Sequence, residues 1–351
     1  MRIEPIMHHL EVDLTAVKKE GSLLRSMIEK IHAERQTLRS AKITCRDHVS
    51  HQLLIEVALC PLVELSLDLQ PCRFSTRELV EDILVPTRGT LKVLQLHFGA
   101  LPCIESSLQE HSSLQILKIH AKSSTVQQWE RLVTALGTCS QLRAIHLHHA
   151  GCLPHNHKLL KQSLIQLVAL PQLQGLELIN LPTIGLSLFR ALMKQHNNSL
   201  RKLVVTTYRW GFDHAIQAVA RMLATNSTLE ELTISAMDQS CLPIFQALKG
   251  RNRSLKRLEV CRGSGDLSND IHEGVIQMLR TNPVLEELLV SRQKWPMDDV
   301  VSYLTLNRVR KKMPLQTQQQ EWLDAVLEHR RDVRVVYYLL STNPSFLHCC
   351  T

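Results

Sequence analysis

Aromatic side chains are scarce in this chain: Phe, Trp and Tyr together make 4% of its 351 residues. Proteins that hold single-stranded nucleic acid stack bases on aromatic rings between clustered cations, so this scarcity argues against that class. Glycine (12) and proline (13) are also few, which excludes collagen-like and low-complexity chains. The longest apolar runs, such as 164–170, fall far short of the roughly 18 residues that cross a bilayer. The start, Met1-Arg2-Ile3-Glu4-Pro5, carries an acid and no apolar stretch, so no secretory leader is expected. There is no CxxC pair among the ten cysteines, and their scatter reads as reduced, mostly buried thiols. Cys349-Cys350-Thr351 is no prenylation box, because His348 stands fourth from the end. The chain is expected to be intracellular, in cytoplasm or nucleus, with no membrane partner.

What is present is leucine and a diluted positive charge. Leu occurs 60 times, so the 44% hydrophobic content rests on one aliphatic residue used repeatedly, enough to bury a core. The net charge of +8 is spread along the chain rather than gathered into a stripe. Only Arg308-Val309-Arg310-Lys311-Lys312 is dense, and it reads as a solvated helix end. No nucleic-acid partner is expected.

The leucines follow one pattern, L-x-x-L-x-L. It appears as Leu62/Leu65/Leu67, Leu91/Leu94/Leu96, Leu114/Leu117/Ile119, Leu142/Ile145/Leu147 and Leu173/Leu176/Leu178. It continues as Leu200/Leu203/Val205, Leu229/Leu232/Ile234, Leu255/Leu258/Val260 and Leu285/Leu288/Val290, with a mean spacing of about 28. Weaker copies stand at Met7/Leu10/Val12 and Leu38/Ala41/Ile43, so eleven strands are expected, nine of them firmly. Helical periodicity fills the gaps, over 78–84, 129–136, 186–193 and 216–223. The later helices end in asparagine turns (Asn197-Asn198-Ser199, Asn226-Ser227-Thr228, Asn252-Arg253-Ser254, Asn282-Pro283), where Asn is expected to take the left-handed conformation that stops a helix. Units of this size bury their apolar face only by stacking, which gives an inner parallel sheet and an outer helix layer.

These nine copies make the chain similar to leucine-rich repeat proteins, most of all the ribonuclease-inhibitor-like class with long repeats and convex helices. The resemblance covers roughly residues 1–295. It implies an α/β horseshoe solenoid of about 10–11 repeats, with residues 1–61 as N-terminal cap and degenerate repeats, 62–295 as the repeats, and 296–351 as a helical C-terminal cap. Helices are expected there over 298–307, 319–328 and 333–340. The family's Asn or Cys three residues after the last strand Leu is missing: Gln70, Gly99, Lys122, Ala150, Leu181, Tyr208, Met237, Gly263 and Gln293 stand there. The backbone groups of those turns must be satisfied by other means.

No enzyme signature is present: no P-loop, HExxH, GxSxG or kinase set, and Gly263-x-Gly265 lacks a third glycine. The sequons at Asn197, Asn226 and Asn252 recur at one repeat position and are expected to be unmodified. Trp210 and Trp295 fall where the repeat wants a core aliphatic, as Leu101 supplies elsewhere, and read as core fillers.

The histidines carry the most specific signal. With the second and third pattern leucines facing in, strand alternation turns His97, His120 and His148 outward on three successive strands, about 5 Å apart, with His146 one pleat away. His149, Cys152, His155 and His157 extend the cluster. No standard ligand spacing and no orienting carboxylate accompanies them, so no metal and no cofactor is expected; an ordinary polar concave face is the plain reading and a partner-contact surface whose charge changes near pH ~6.5 the sharper one. The expected function is a non-enzymatic protein-interaction module, monomeric, that meets a protein partner through His97, Lys118, His120, His146, His148, Glu177, Lys202, Tyr208 and Arg209 on the concave sheet and adjoining loops. A regulator of catalysis acting in trans, such as a GTPase activator, is the alternative.

Overall fold

The computed structural model describes residues 9–13, 21–44, 51–69, 79–150, 158–181, 186–194, 199–206, 213–235, 241–249, 252–261, 269–290, 300–301, 303–305 and 307–308. The chain divides into two compact units, 1–209 and 210–351.

The first unit holds eight strands: β1 (His9–Asp13), β2 (Ser40–Thr44), β3 (Glu64–Leu69), β4 (Val93–Ala100), β5 (Ile116–Ser123), β6 (Ala144–His149), β7 (Gly175–Ile179) and β8 (Lys202–Thr206). Each pairs in parallel with the next, and helices alternate with the strands. Both weak N-terminal copies are therefore strands. The pairing sets pattern residue against pattern residue: Leu65 faces Leu94, which faces Leu117, then Ile145, Leu176 and Leu203. All six are at most 1% exposed, so the aliphatic rows form one continuous buried sheet face. The next residue along each strand points the other way and is only half-buried, which leaves an open face.

The helices bury the stripe their periodicity marks. Val126–Leu136 packs Trp129, Leu132, Val133 and Leu136 inward. It starts at a reciprocal cap, in which the Gln128 amide donates to Thr125 Oγ1 (3.2 Å) and the Thr125 amide to Gln128 Oε1 (2.7 Å). One helix departs from expectation. Residues 79–84 form a π turn that runs into a short α-helix, Val85–Thr87. Pro86 accounts for it: its ring cannot donate and crowds the preceding turn, which a wider turn relieves.

The second unit holds β9 (Glu231–Ser235), β10 (Arg257–Cys261) and β11 (Glu287–Val290), again parallel and in matched register. Its helices Leu242–Leu248 and Asn269–Thr281 approach closely at Gly274, where a Cβ would come within 2.5 Å of Leu242 Cδ1.

The asparagine turns work differently from expectation. The one non-glycine residue with positive φ among the described residues is Asn180 (56°), not a helix-ending Asn. The turn asparagines act through their side chains instead. Asn252 Oδ1 accepts the amides of Ser254 and Leu255, while its Nδ2 donates to the carbonyls of Leu223 and Asn226 in the preceding repeat. Asn282 repeats this toward Val284, Leu285, Leu248 and Asn252. Asn307, in the helical residues of 300–308, donates to Asn282 and Leu285, so the ladder runs beyond residue 295. Asn252, a sequon, thus spends both Nδ2 hydrogens inside the fold and is 3% exposed. That is a direct physical reason for it to stay unglycosylated. Asn197, Trp210, Trp295, Gly263, Gly265, the remaining tail helices and residues 309–312 lie outside the described residues.

Candidate open-face site on strands β4 to β8

Seven of the nine sequence-predicted contact residues fall on adjoining strands of the first unit and point to its open face. His97 on β4 pairs with His120 on β5, and His120 with His148 on β6. One pleat back, Lys118 pairs with His146 and His146 with Glu177. Lys202 begins β8 beside them. Tyr208 and Arg209 lie outside the described residues, as do Cys152, His155 and His157.

The three imidazoles make a stack. The His120 and His148 rings are 4.1 Å apart and nearly parallel (15°); His97 and His120 are 5.3 Å apart and tilted by 58°. Gln95 pins the outer end, its Nε2 lying 2.8 Å from His97 Nε2. His120 Nε2 is shielded from solvent and has no hydrogen-bond partner. Charge is therefore unwelcome at this row. Burial lowers the His120 pKa first, then the His97 and Lys122 charges, with Asp68 opposing. Burial and the neighbouring His120, His149 and His97 push His148 down to about 4. At neutral pH the middle and inner rings are uncharged.

Beside the row stands an ion triad that sequence reading missed. Glu177 bridges His146 (Oε2 to Nδ1, 2.5 Å) and Lys202 (Oε1 to Nζ, 2.7 Å). The His146 hydrogen bond first, and the Lys202 bond and both charges after it, hold the Glu177 carboxyl down at about 2 against burial that opposes them. An orienting carboxylate thus exists for one histidine, on the next strand rather than nearby in sequence. Only parallel register brings residues 146, 177 and 202 together, and a local motif search has no access to it.

His149 turns to the buried side, where it is 2% exposed, meets Ser124 Oγ at 3.1 Å and stands edge-on to Trp129. It supports the face from beneath without belonging to it. Among the described residues no group of three or more His, Cys, Asp or Glu side chains could hold a metal ion. Stacked, near-parallel rings do not direct their nitrogens at one point. Among the same residues no helix is long and apolar enough to cross a membrane.

No family model and no curated protein matches the chain. Among solved structures it is similar to leiomodin-1 actin-binding site 2, at 22% identity over 40% of this chain and 79% of that one, with a TM-score of 0.30.

Proposed function

We propose that this protein is a non-enzymatic interaction module built as a leucine-rich repeat solenoid of the ribonuclease-inhibitor-like class. It acts inside the cell, as a monomer and without a cofactor, and receives a protein partner on the open, concave face of strands β4–β8. One observation carries the reading: nine half-buried side chains on β4–β6, four of them histidines, stand side by side on one solvent-facing side of the sheet. Such a surface is rigid before binding, so little ordering entropy is lost when a partner docks.

The reading is tested by comparative capture from cell extract. Gln95→Arg combined with Lys118→Glu should remove the proteins that the wild type retains, at least tenfold. Arg131→Glu, on the exposed side of helix Val126–Leu136, should retain them. Equal retention by the open-face variant would overturn the assignment.

A further inference from the structure

The patch on β4–β6 has a one-sided chemistry. Its nine residues are Val93, Gln95 and His97; Ile116, Lys118 and His120; Ala144, His146 and His148. None is a carboxylate. Lys118 makes no hydrogen bond or ion pair among the described residues, whereas Lys42 is paired with Glu11 and Lys202 with Glu177. The acids that border the patch are Glu64, beside Val93, and Asp68, beside His97, both on β3 at its edge, and Glu177, which is already spent on His146 and Lys202. Val93, Ile116 and Ala144 form an aliphatic row along one margin.

From this juxtaposition we propose that the β4–β6 patch docks an extended, acidic protein segment, its carboxylates over Lys118 and the histidine row and its apolar side chains over Val93 and Ile116. The inference rests on the reading of this face as the docking surface and names the partner's chemistry. One ammonium amid four imidazoles and three aliphatics is too sparse in fixed charge for a phosphate polymer, which needs clustered Lys and Arg. It suits a carboxylate whose arrival supplies the missing negative charge.

Docking of such a segment is coupled to protons. The groups facing His120 are His97 and Asp68 on one side, His148 on the other, Lys118 and Lys122 on its own strand, and His149 beneath. Burial first, and then the His97 and Lys122 charges, disfavour charge on His120 while Asp68 favours it, so the free protein binds few protons there at pH 7. A carboxylate laid over the row reverses that balance, and protons enter with the ligand. Binding therefore tightens as the pH falls from 7.5 to 6.0.

The test uses the full chain and three fluorescent probes in 150 mM salt: a decapeptide alternating Glu and Val, one alternating Lys and Val, and a ten-nucleotide oligouridylate. The acidic peptide should bind, about tenfold more tightly at pH 6.0 than at pH 7.5, and the other two should not. Lys118→Ala should weaken it at both pH values. His120→Gln with His148→Gln should weaken it far more at pH 6.0 than at pH 7.5 and so flatten the pH dependence; unchanged thermal melting at pH 7.5 confirms that both variants fold. Preference for the lysine peptide or the oligonucleotide, or acidic-peptide binding indifferent to pH, overturns the proposal. If open-face variants lose captured proteins yet the wild type ignores the acidic probe, the docking surface stands and its acidic partner falls. If capture ignores those variants, both fall.

Discussion

The two units close the same turn with different chemistry. In the first, the amide of the strand-leading leucine bonds back to the main chain two to four residues before: Leu62 to Cys60 (2.8 Å), Leu91 to Thr87 (3.1 Å), Leu114 to His111 (3.3 Å), Leu142 to Cys139 (3.4 Å), Leu173 to Leu170 (3.2 Å). In the second, that amide goes to an asparagine side chain: Leu229 to Asn226 (2.7 Å), Leu255 to Asn252 (2.9 Å), Leu285 to Asn282 (3.0 Å). The asparagine carbonyl, so released, accepts the Nδ2 of the next asparagine. A chain of side chains then ties repeat to repeat. In the first unit assorted side chains reach back in that role: Ser113 Oγ to the Leu91 carbonyl (2.9 Å), Cys139 Sγ to Leu108 (3.6 Å), Gln172 Nε2 to Cys139 (3.4 Å) and Ser199 Oγ to Leu173 (2.8 Å). Both units share one device. A single carbonyl after the leading leucine accepts two amides of the next strand, as Lys92 does for Gln115 and Ile116, and Lys256 for Glu286 and Glu287. The repeat thus needs that carbonyl everywhere and tolerates variety at the rung.

The open faces differ in the opposite sense. The second unit's face is covered by direct ion pairs, Arg257 with Glu287 and with Glu259, and by Thr233 on Glu259. On the first unit's face His120 and His148 are uncharged at neutral pH, and Lys118 is unpaired among the described residues. The unit with the less uniform rungs carries the more available surface.

Four substitutions sharpen this contrast. The largest effect belongs to Asn252→Ala, which strands two buried carbonyls and two amides. At ~1–3 kcal/mol for each group left unsatisfied, and with the Leu255 amide able to fall back on main chain, the loss is about 3 kcal/mol. Denaturant titration checks it, and a loss below about 1 kcal/mol would mean the ladder is ornamental. Glu177→Gln comes next, at about 1–2 kcal/mol near neutral pH, because it breaks two bonds of a half-buried triad. The carboxyl titrates lower folded than unfolded, so its contribution is full above about 4.5 and vanishes as pH falls toward 2. Melts of wild type and variant should converge over that range. Cys139→Ala should cost about 1 kcal/mol, since a thiol is a weak donor and the void is small. A cost equal to that of Asn252→Ala would erase the difference between the rungs.

The smallest effect is a change of slope. His120 and His148 bind fewer protons folded than unfolded, so the stability their neutral forms preserve is complete above pH ~6.5 and erodes below it. His120→Gln removes the middle ring and its repulsion. Between pH 7.5 and 5.5 the variant should lose less melting temperature than wild type. Identical slopes would mean the stack does not form in solution.

Much of this was legible in the sequence. The pattern Leu-x-x-Leu-x-Leu names the buried rows, because strand alternation and burial leave it no other register, and the same alternation turned His97, His120 and His148 outward. The Glu177 triad was not legible, since its members are 31 and 25 residues apart and meet only through strand pairing. The asparagine ladder was half legible: the residues recur at one position, yet their backbone conformation is ordinary and their side chains carry the bonds. The π turn at 79–84 hid because periodicity over one short helix cannot separate a 3.6-residue turn from a wider one.

The docking surface on β4–β8 is tested most directly by photo-crosslinking from single sites. A photoreactive residue in place of Gln95, on the open face, should give partner adducts in cells, and the same residue in place of Gln127, exposed on helix Val126–Leu136, should give none of them. Adducts that form equally from both sites, or from 127 alone, would contradict the account.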